Sequence, residues 1–414
     1  HLNAFVSDSW GVGDVAEGFA RADLIVEGTY ATQRVHQGYM EPHACLVWID
    51  EGGQVQIQAS TKAPHRLKAD VAAALDLPIE QVRVHHATVG GDFGGKGSPM
   101  DVPLCYFLAK ATGRPVRATM TYAEELAAGN PRHASVTTMR TGVKRDGTLV
   151  AHEARILFNS GAYGGFKPVP GVNLPGAAHA AGPYRIPHAF IEAVHVYTNV
   201  VPGGFYRGPG AVQANFAIES HIDVIAAKLG MDPIALRRHN LVAPGDMTVI
   251  GHEAPAMNPV GTLNAALATS GWDTPKPAGI GRGISIAYKG QGGGQSSAGV
   301  ELRPDGTVVL HTSVFEQGTG SYTAFRQMVA EELGLAADEV LVEPWDTDEA
   351  PFDSGIGASR VTRVAVPAVH EAVTQARAEL VELAASVLGW PPAAVAMEGH
   401  DLVRCDTRDR QPWR

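Results

Sequence analysis

Two stretches of the chain show the same order of hydrophobic patterns. In the first, alternation of apolar and polar residues over 54–58 predicts a strand, a helical period over 67–75 predicts a helix, and residues 82–84 predict another strand. In the second stretch, residues 306–310 and 340–342 predict strands on either side of a helix at 322–333. We interpret the two stretches as an internal repeat. The mixture of short strands and amphipathic helices predicts an α+β fold with mixed sheets and packed helices, and it argues against strict Rossmann winding.

A domain boundary is expected between about residues 240 and 281, where residues 245–262 and 272–279 show neither period clearly, and a chain of 414 residues usually forms two or three domains. We therefore expect one domain over residues 1–250 and a second over 251–414, the second incomplete at its C-terminal side.

The charge balance limits the possible partners. Lys and Arg number 33 against 43 Asp and Glu, which gives a formal net charge of −10 and predicts neither nucleic acid nor an anionic membrane as a partner. Apolar runs are too short for a membrane span, and the first residues do not resemble a secretory signal, so the expected location is cytoplasmic. Cys45, Cys105 and Cys405 form no CxxC pair, which argues against a disulfide scaffold and against an iron–sulfur cluster in this chain.

Four glycine-rich turns each precede a helical pattern. They are loop 1 (residues 90–97, GGDFGGKG), loop 2 (206–210, YRGPG), loop 3 (317–320, QGTG) and loop 4 (355–360, GIGASR). Glycine permits positive φ and close approach of a ligand, and a helix N-terminus offers N–H groups to an anion. One such turn is an ordinary joint, whereas four together indicate a large, multiply anionic cofactor. Arg207 and Arg360 lie within these turns, where each can contact an anionic ligand or brace its loop against a carbonyl.

The helices next to the loops can be placed from local signals. Loop 1 follows a strand predicted over 82–89, with Ser98 as the N-cap and Pro99 in the first turn of the next helix. The helix after loop 2 is predicted to run to about residue 228 and to end at Gly230. The helix after loop 4 is predicted to run to residue 388, with a kink near Pro367.

Three other kinds of site are weakly supported. Residues 90–96 match the spacing of a nucleotide-binding P-loop, but Gly97 stands where Ser or Thr must coordinate Mg²⁺. His85 and His86 are adjacent in a predicted strand and point to opposite faces, while His36 and His43 lack the spacing of metal ligands. No GxSxG segment of the hydrolase type is present.

The loops resemble those of one enzyme family. GGDFGGK is similar to the GGxFGxK signature of the molybdenum hydroxylases, the xanthine dehydrogenase and aldehyde oxidase family. YRGPG resembles the family's FRGxG segment, QGTG its QGxG segment, and residues 357–360 its Ser-Arg loop, in the same order along the chain. Further likeness at 41–43, 184–187 and 219–223 extends the resemblance over almost the whole sequence.

The resemblance implies two molybdopterin-binding domains and a molybdenum held by a molybdopterin, possibly in its cytosine dinucleotide form, with no direct ligand from a protein side chain. It also implies which residues contact the cofactor: Gly90, Gly91, Asp92, Phe93, Gly94, Arg207, Gly208, Gly210, Gln317, Gly318, Gly320, Ser359 and Arg360.

The implied reaction is hydroxylation of an aldehyde or an aromatic N-heterocycle with oxygen from water, and the electrons pass to partner subunits that carry 2Fe–2S clusters and FAD. A glutamate base in a GxGE segment belongs to this chemistry, and these 414 residues contain no GxGE. We therefore expect the catalytic residue beyond Arg414 and no activity from this chain alone, which we interpret as a fragment. The alternative is a non-catalytic cofactor-binding half-subunit that another chain completes.

Two positions bear on the substrate. Purine-oxidising members carry a glutamate where this chain has Gly97, and an arginine where it has Pro175. Both differences disfavour xanthine, and the sequence does not choose among aldehydes and other heterocycles.

Overall fold

The computed structural model describes residues 3–164, 174–290 and 292–413. Its strands in chain order are β1 Ala4–Val12, β2 Leu24–Thr32, β3 Ala44–Ile49, β4 Val55–Ala59, β5 Val82–His85, β6 Val116–Thr119, β7 Ala134–Val143, β8 Leu149–Gly161, β9 Ala189–Tyr197, β10 Ala298–Leu302, β11 Val308–Thr312, β12 Val340–Pro344, β13 Val395–Glu398, β14 Asp401–Arg404 and β15 Arg410–Pro412. The α-helices are α1 Val15–Ala20, α2 Pro64–Leu75, α3 Val102–Thr112, α4 Tyr122–Ala128, α5 Ala211–Leu229, α6 Pro233–Asn240, α7 Pro259–Ser270, α8 Ser321–Leu333 and α9 Val361–Leu388.

The chain folds into two compact units that interleave along the sequence. The first unit contains residues 3–36, 130–164 and 174–290, and the second contains residues 37–129 and 292–413. The boundary that we expect near residue 250 divides the chain into two cofactor-binding domains, which are not defined in the same way as these two compact units. This boundary stays a prediction.

The first unit is built on a five-stranded sheet in the order β1-β9-β8-β7-β2. All its neighbouring strands are antiparallel except β8 and β9, which are parallel. Apolar residues from this sheet and from α5 share one core, which includes Ile156, Ile191, Ile218 and Ile225. Helix α5 begins directly after loop 2, so its packing in the core fixes where that loop lies.

The second unit contains the internal repeat. Strands β4 and β5 are parallel and are joined through α2, and strands β11 and β12 are parallel and are joined through α8. The two strand–helix–strand stretches are therefore confirmed, with element bounds shifted by no more than a few residues. Their sheets have the orders β5-β4-β3-β6 and β10-β11-β12, and each has its own apolar core. A three-stranded sheet of β13, β14 and β15 completes this unit. These mixed sheets with packed helices confirm the α+β class.

Helix ends follow the local signals at several of the predicted places. Helices α5, α8 and α9 end at Gly230, Gly334 and Gly389, each with a φ between 65° and 69°. Glycine adopts this left-handed conformation without the steric cost that a Cβ imposes. Pro367 lies within α9, which is continuous from Val361 to Leu388.

Two local predictions are wrong. The strand before loop 1 ends at His85 rather than at Val89. The helix after loop 1 begins at Val102 rather than after a Ser98 cap, because Met100 has a φ of 44° and interrupts any helix that starts earlier. The segment between residues 240 and 281 contains α7, which Asn258 caps by accepting a hydrogen bond from the N–H of Gly261.

No helix within the described ranges is long and apolar enough to cross a membrane.

Candidate functional site: four glycine loops

Loop 1 is folded around the side chain of Asp92. The Asp92 carboxylate accepts hydrogen bonds from the N–H groups of Gly94 and Lys96, both over 2.6 Å. The backbone carbonyl oxygen of Asp92 accepts another from the N–H of Gly95 over 2.8 Å. Gly91 and Gly94 have φ values of 93° and 110°, which allow this tight path. The carboxylate thus satisfies N–H groups that we expected to face a ligand.

The lysine of loop 1 points into the protein. Lys96 is fully buried, its ammonium is paired with the Glu41 carboxylate, and it lies 4.8 Å from the centre of the Tyr39 ring. Burial lowers the pKa of Lys96, while the charge of Glu41 opposes this effect. Glu41 also accepts the N–H of Gly90 over 2.7 Å. A P-loop lysine must reach phosphate, so this pairing argues against nucleotide binding at loop 1.

A buried glutamate fixes the residue against which loop 1 packs. Glu125 is fully buried and accepts hydrogen bonds from the Tyr39 hydroxyl over 2.5 Å and from the backbone N–H of His43 over 2.7 Å, and it lies 2.9 Å from His43 Nδ1. Burial by itself raises the pKa of Glu125, but the contacts to His43 and Tyr39 outweigh it and bring the pKa to about 2. A Cβ on Gly95 would lie 2.6 Å from the Tyr39 ring, so loop 1 packs directly against Tyr39, the residue that donates to Glu125.

Loop 3 is closed by the glutamate that precedes it. One carboxylate oxygen of Glu316 accepts the N–H groups of Gly318, Thr319 and Gly320 over 2.8, 2.6 and 3.2 Å. The other accepts the N–H of Tyr322, in the first turn of α8, over 3.3 Å. Burial alone would raise the pKa of Glu316, yet these N–H groups outweigh it and hold the pKa below its ordinary value. The start of α8 therefore already holds an anion that belongs to the chain.

Loop 4 is also held by the carboxylate of an acidic residue that precedes it, and it contains a strained turn. The buried carboxylate of Asp353 accepts the N–H of Gly355 over 2.6 Å. Ala358 and Ser359 both have left-handed φ values, 48° and 57°, which cost free energy for residues with a Cβ. The Arg360 guanidinium donates to the carbonyl oxygen of Gly293 over 3.1 Å, which is the bracing contact that we considered for a loop arginine. Burial lowers the pKa of Arg360.

Loops 1, 3 and 4 are tied together within the second unit. The N–H of Val89, the residue directly before loop 1, donates to the carbonyl oxygen of Glu316, directly before loop 3, over 2.9 Å. The N–H of Lys62 donates to the carbonyl of Lys96 in loop 1, and the N–H of Ile356 in loop 4 donates to the carbonyl of Lys62. The Lys62 ammonium also lies 3.7 Å from the Asp92 carboxylate. Lys62 thus joins loops 1 and 4.

Loop 2 lies in the first unit and is held by a buried arginine. The Arg132 guanidinium donates to the carbonyl oxygens of Arg207 and Gly208 over 2.8 and 3.3 Å, and to the Gln213 side chain over 3.2 Å. It also lies 4.5 Å from the centre of the Tyr206 ring. Arg132 is 8% exposed, and burial lowers its pKa. The carbonyl side of loop 2 is therefore fixed, while Arg207 is exposed.

Two glycines allow the chain to approach loop 2 closely. A Cβ on Gly176 would lie 2.3 Å from the carbonyl oxygen of Pro209, and a Cβ on Gly210 would lie 2.8 Å from that of Leu174. Gly210 also has a φ of 77° at the start of α5. Both positions require glycine for backbone packing.

The chain matches two models of molybdopterin cofactor-binding domains, one over residues 2–241 and the other over residues 265–413. The chain belongs to the molybdopterin cofactor-binding domain family. Over 93% of its length it is 30% identical to the xanthine dehydrogenase molybdenum-binding subunit of Escherichia coli, and it covers 53% of that protein. The resemblance found in the sequence is confirmed.

Solved structures show the same fold. The aldehyde oxidoreductase from Desulfovibrio gigas is 28% identical, with a TM-score of 0.80, and the match covers 90% of this chain and 42% of that one. The quinoline 2-oxidoreductase from Pseudomonas putida 86 shares the fold at 24% identity, with a TM-score of 0.88 and coverage of 99% of this chain and 56% of that one. The chain spans about half the length of the curated relatives that it matches.

The second unit of this molybdopterin-binding family member has groups and space suited to a polar cofactor. The side-chain oxygen of Gln317 and Nε of Arg360 are buried and have no hydrogen-bond partner among the described residues. Gly318 and Gly320 have positive φ, and a Cβ on either would meet no heavy atom within 4 Å. Unpaired buried polar groups beside open backbone are what a hydrogen-bonding ligand requires. The residues present fit the group that the family name implies.

The structure also reveals residues that we did not predict from the sequence, namely Glu316, Asp353, Arg132 and Lys62. For Glu316 and Asp353 a signal existed, since an acidic residue one or two positions before a glycine turn commonly accepts the N–H groups of that turn. Arg132 and Lys62 contact loops far away in the chain, and no local pattern marks them.

Proposed function

We propose that this chain is the molybdopterin-binding part of an oxidoreductase that hydroxylates an aldehyde or an aromatic N-heterocycle with water as the oxygen source. Its electrons would pass to partner subunits that carry 2Fe–2S clusters and FAD. Family membership supports this proposal, as do the names of relatives such as the aldehyde oxidoreductase of Megalodesulfovibrio gigas. The observation that carries it is the joining of loops 1, 3 and 4 by backbone hydrogen bonds beside unpaired groups of Gln317 and Arg360.

The proposed cofactor is molybdenum-molybdopterin, possibly in its cytosine dinucleotide form, and the metal takes no side-chain ligand from this chain. The proposed contacts are Gly90, Gly91, Asp92, Phe93, Gly94, Arg207, Gly208, Gly210, Gln317, Gly318, Gly320, Ser359 and Arg360. When bound, this group supplies two-electron redox chemistry. The chain itself binds and orients the cofactor. The Gln317 amide offers a hydrogen-bond acceptor, and the Arg360 guanidinium offers a donor. The carboxylates of Asp92, Glu316 and Asp353 hold the backbone of loops 1, 3 and 4.

The remaining chemistry is proposed to come from outside these residues. A glutamate base in a GxGE segment would act on the reacting oxygen, and its absence from these 414 residues predicts that the chain alone is inactive. Gly97 and Pro175 disfavour a purine substrate, although several relatives are named xanthine dehydrogenase or hypoxanthine oxidase. The cytoplasmic location expected from the sequence stays a prediction.

The test is the molybdenum content of the complete complex, measured by elemental mass spectrometry after expression with all its subunits in a host that makes the cofactor. We expect about one molybdenum per chain, as in a site with a single bound cofactor. Arg207→Ala is expected to lower this content or to abolish turnover, whereas Arg155→Ala, on the exposed face of β8, leaves both unchanged. A molybdenum-free complex from a host with verified cofactor synthesis would contradict the proposal.

A further inference from the structure

Two of the three cysteines meet in an apolar core of the second unit. Cys45 lies on β3 and Cys105 lies on α3, sixty residues apart in the sequence, and their sulfur atoms are 3.6 Å apart. The two side chains are 6% and 2% exposed and belong to the same core. Both are free thiols, as is Cys405. Sequence spacing does not predict this contact, because it depends on how a helix packs against a sheet.

We propose that Cys45 and Cys105 are a site of reversible oxidative modification, at which hydrogen peroxide converts the two thiols into a disulfide that links α3 to β3. This inference does not depend on the proposed function. The disulfide encloses residues 46–104, and loop 1 lies within this segment. The chain then contains a redox-sensitive bond that the wide spacing of its cysteines does not indicate.

The positions of the sulfur atoms favour this bond over any other pairing. The S–H of Cys45 donates to Sγ of Cys105, so the two sulfur atoms already face each other. A disulfide bond is about 2.05 Å long, so the sulfur atoms must approach by about 1.5 Å. A cavity of about 10 Å³ lies beside Cys45 and Val102, and its space for a water-sized molecule lets the thiol side chain rotate. Cys405 is exposed in the turn after β14 and lies outside this core.

The oxidation proceeds in two steps. One thiol, which reacts as its thiolate, attacks a peroxide oxygen and gives a sulfenic acid and one water molecule. The second thiol attacks the sulfenic sulfur, forms the S–S bond and releases the hydroxyl group as a second water molecule. The two sulfur atoms together lose two electrons, which break the O–O bond of the peroxide, and both thiol protons end in water.

Burial makes the reaction slow and selective. Desolvation raises the pKa of both Cys45 and Cys105, so only a small fraction of either thiol is ionised at neutral pH. Exposed Cys405 therefore reacts first with a bulky alkylating reagent. A small peroxide reaches the buried pair through local opening of the core. Each buried cysteine has a second thiol in contact with it, which captures the sulfenic acid before a further oxygen adds.

The first experiment follows the three thiols in the full-length protein with its partner subunits. After prolonged exposure to hydrogen peroxide, the remaining thiols are alkylated in denaturant, and the digested protein is analysed by mass spectrometry. We expect a cross-linked pair of peptides that contain Cys45 and Cys105, lighter by two hydrogen atoms than the reduced pair, and its loss after treatment with dithiothreitol. Cys405→Ser is the matched control and is expected to form the same cross-link, because it lies outside the core.

Three results would overturn the proposal. One is that both buried thiols stay reduced after peroxide has fully oxidised Cys405. Another is that they become sulfinic acids without a cross-link. The third is a mixture of all possible cysteine pairings in the native protein, since only oxidation in urea should give such a mixture. These results come from the wild type, so they do not depend on whether a cysteine variant folds.

Thermal unfolding tests the effect of the bond on stability. A cross-link between residues sixty positions apart lowers the conformational entropy of the unfolded chain, so the oxidised protein is expected to unfold about 3 °C or more above the reduced protein. Reduction with dithiothreitol should restore the lower temperature. Cys105→Ala, treated with peroxide in the same way, is expected to show no such increase. A cross-linked wild type that unfolds at the temperature of the reduced protein would reject the stabilising link between α3 and β3.

Discussion

The backbone N–H of Val89 donates to the carbonyl oxygen of Glu316 over 2.9 Å, and this single bond joins two loops that are more than two hundred residues apart in the sequence. Val89 leads into loop 1, and Glu316 leads into loop 3 and closes it with its side chain. One residue therefore determines the shape of its own loop and the position of a second one.

Arg132 is expected to be essential for the shape of loop 2. Arg132→Met removes three hydrogen bonds from a guanidinium that is 8% exposed, and it leaves the carbonyl oxygens of Arg207 and Gly208 without that donor. We expect a loss of about 2 to 4 kcal/mol in the free energy of unfolding. Urea denaturation followed by circular dichroism measures it. Arg155→Met, a change at an exposed arginine in the same unit, is expected to cost less than about 1 kcal/mol. Equal losses in both variants would argue against this role.

Gly355 is expected to tolerate no side chain. In Gly355→Ala the new Cβ would lie 2.6 Å from Ala63 and 2.7 Å from the carbonyl oxygen of Lys62, at a φ of 70°. We expect a loss of about 2 to 5 kcal/mol, the sum of a left-handed backbone cost and an overpacking cost. Gly389→Ala is the matched control, since its φ is 66° but no atom lies within 4 Å of its Cβ. The control isolates the backbone cost of about 1 to 2 kcal/mol. Thermal or urea unfolding of the two variants should therefore differ.

Acid is expected to destabilise the first unit through its buried histidines. Burial lowers the pKa of His133 and His152 to about 3, and that of His195 and His221 to about 4. These pKa values lie below the unfolded value of about 6.5, so the unfolded state binds more protons in acid. The contribution of these neutral histidines to the free energy of unfolding is fully present above about pH 6.5. As the pH decreases towards the folded pKa values, each histidine lowers the free energy of unfolding by about 1.4 kcal/mol per pH unit.

Urea denaturation between about pH 7.5 and pH 5 measures this slope, over a window set by the histidine pKa values. His152→Gln removes one of the four histidines. The slope of the free energy of unfolding against pH should then decrease by the amount that corresponds to about one bound proton, even if the variant is less stable at every pH. A slope that does not change would show that His152 does not titrate as its burial implies.

The buried ion cluster of the first unit is expected to depend on Arg237. This side chain is fully buried and donates to the carboxylates of Glu219 and Asp223 over 2.9 and 2.7 Å. Arg237→Met leaves the buried Glu219 carboxylate without its cation and is expected to cost about 3 to 5 kcal/mol. Adding Glu219→Gln removes the unpaired charge, so the double variant should recover part of that loss. A double variant that is as unstable as the sum of the two single variants would contradict this coupling.

Local sequence signals predicted much of the fold for a physical reason. The ends of α5, α8 and α9 at Gly230, Gly334 and Gly389 need only a residue that adopts positive φ, and this is a property of one position. The two strand–helix–strand stretches follow from periodicity over a few residues. The start of α3 does not follow from local signals, because Met100 has a left-handed φ that its residue type does not predict.

The α+β class, the four glycine loops and the family can all be inferred from the amino-acid sequence, because each of them depends on short, contiguous patterns. The contacts that the loops make can be seen only in the folded chain. The pairing of Arg132 with loop 2, and the link that Lys62 makes between loops 1 and 4, join residues that are far apart in the chain. Such contacts depend on how the sheets and helices pack together, and the free energy that selects them is shared by the whole core rather than encoded in any one segment.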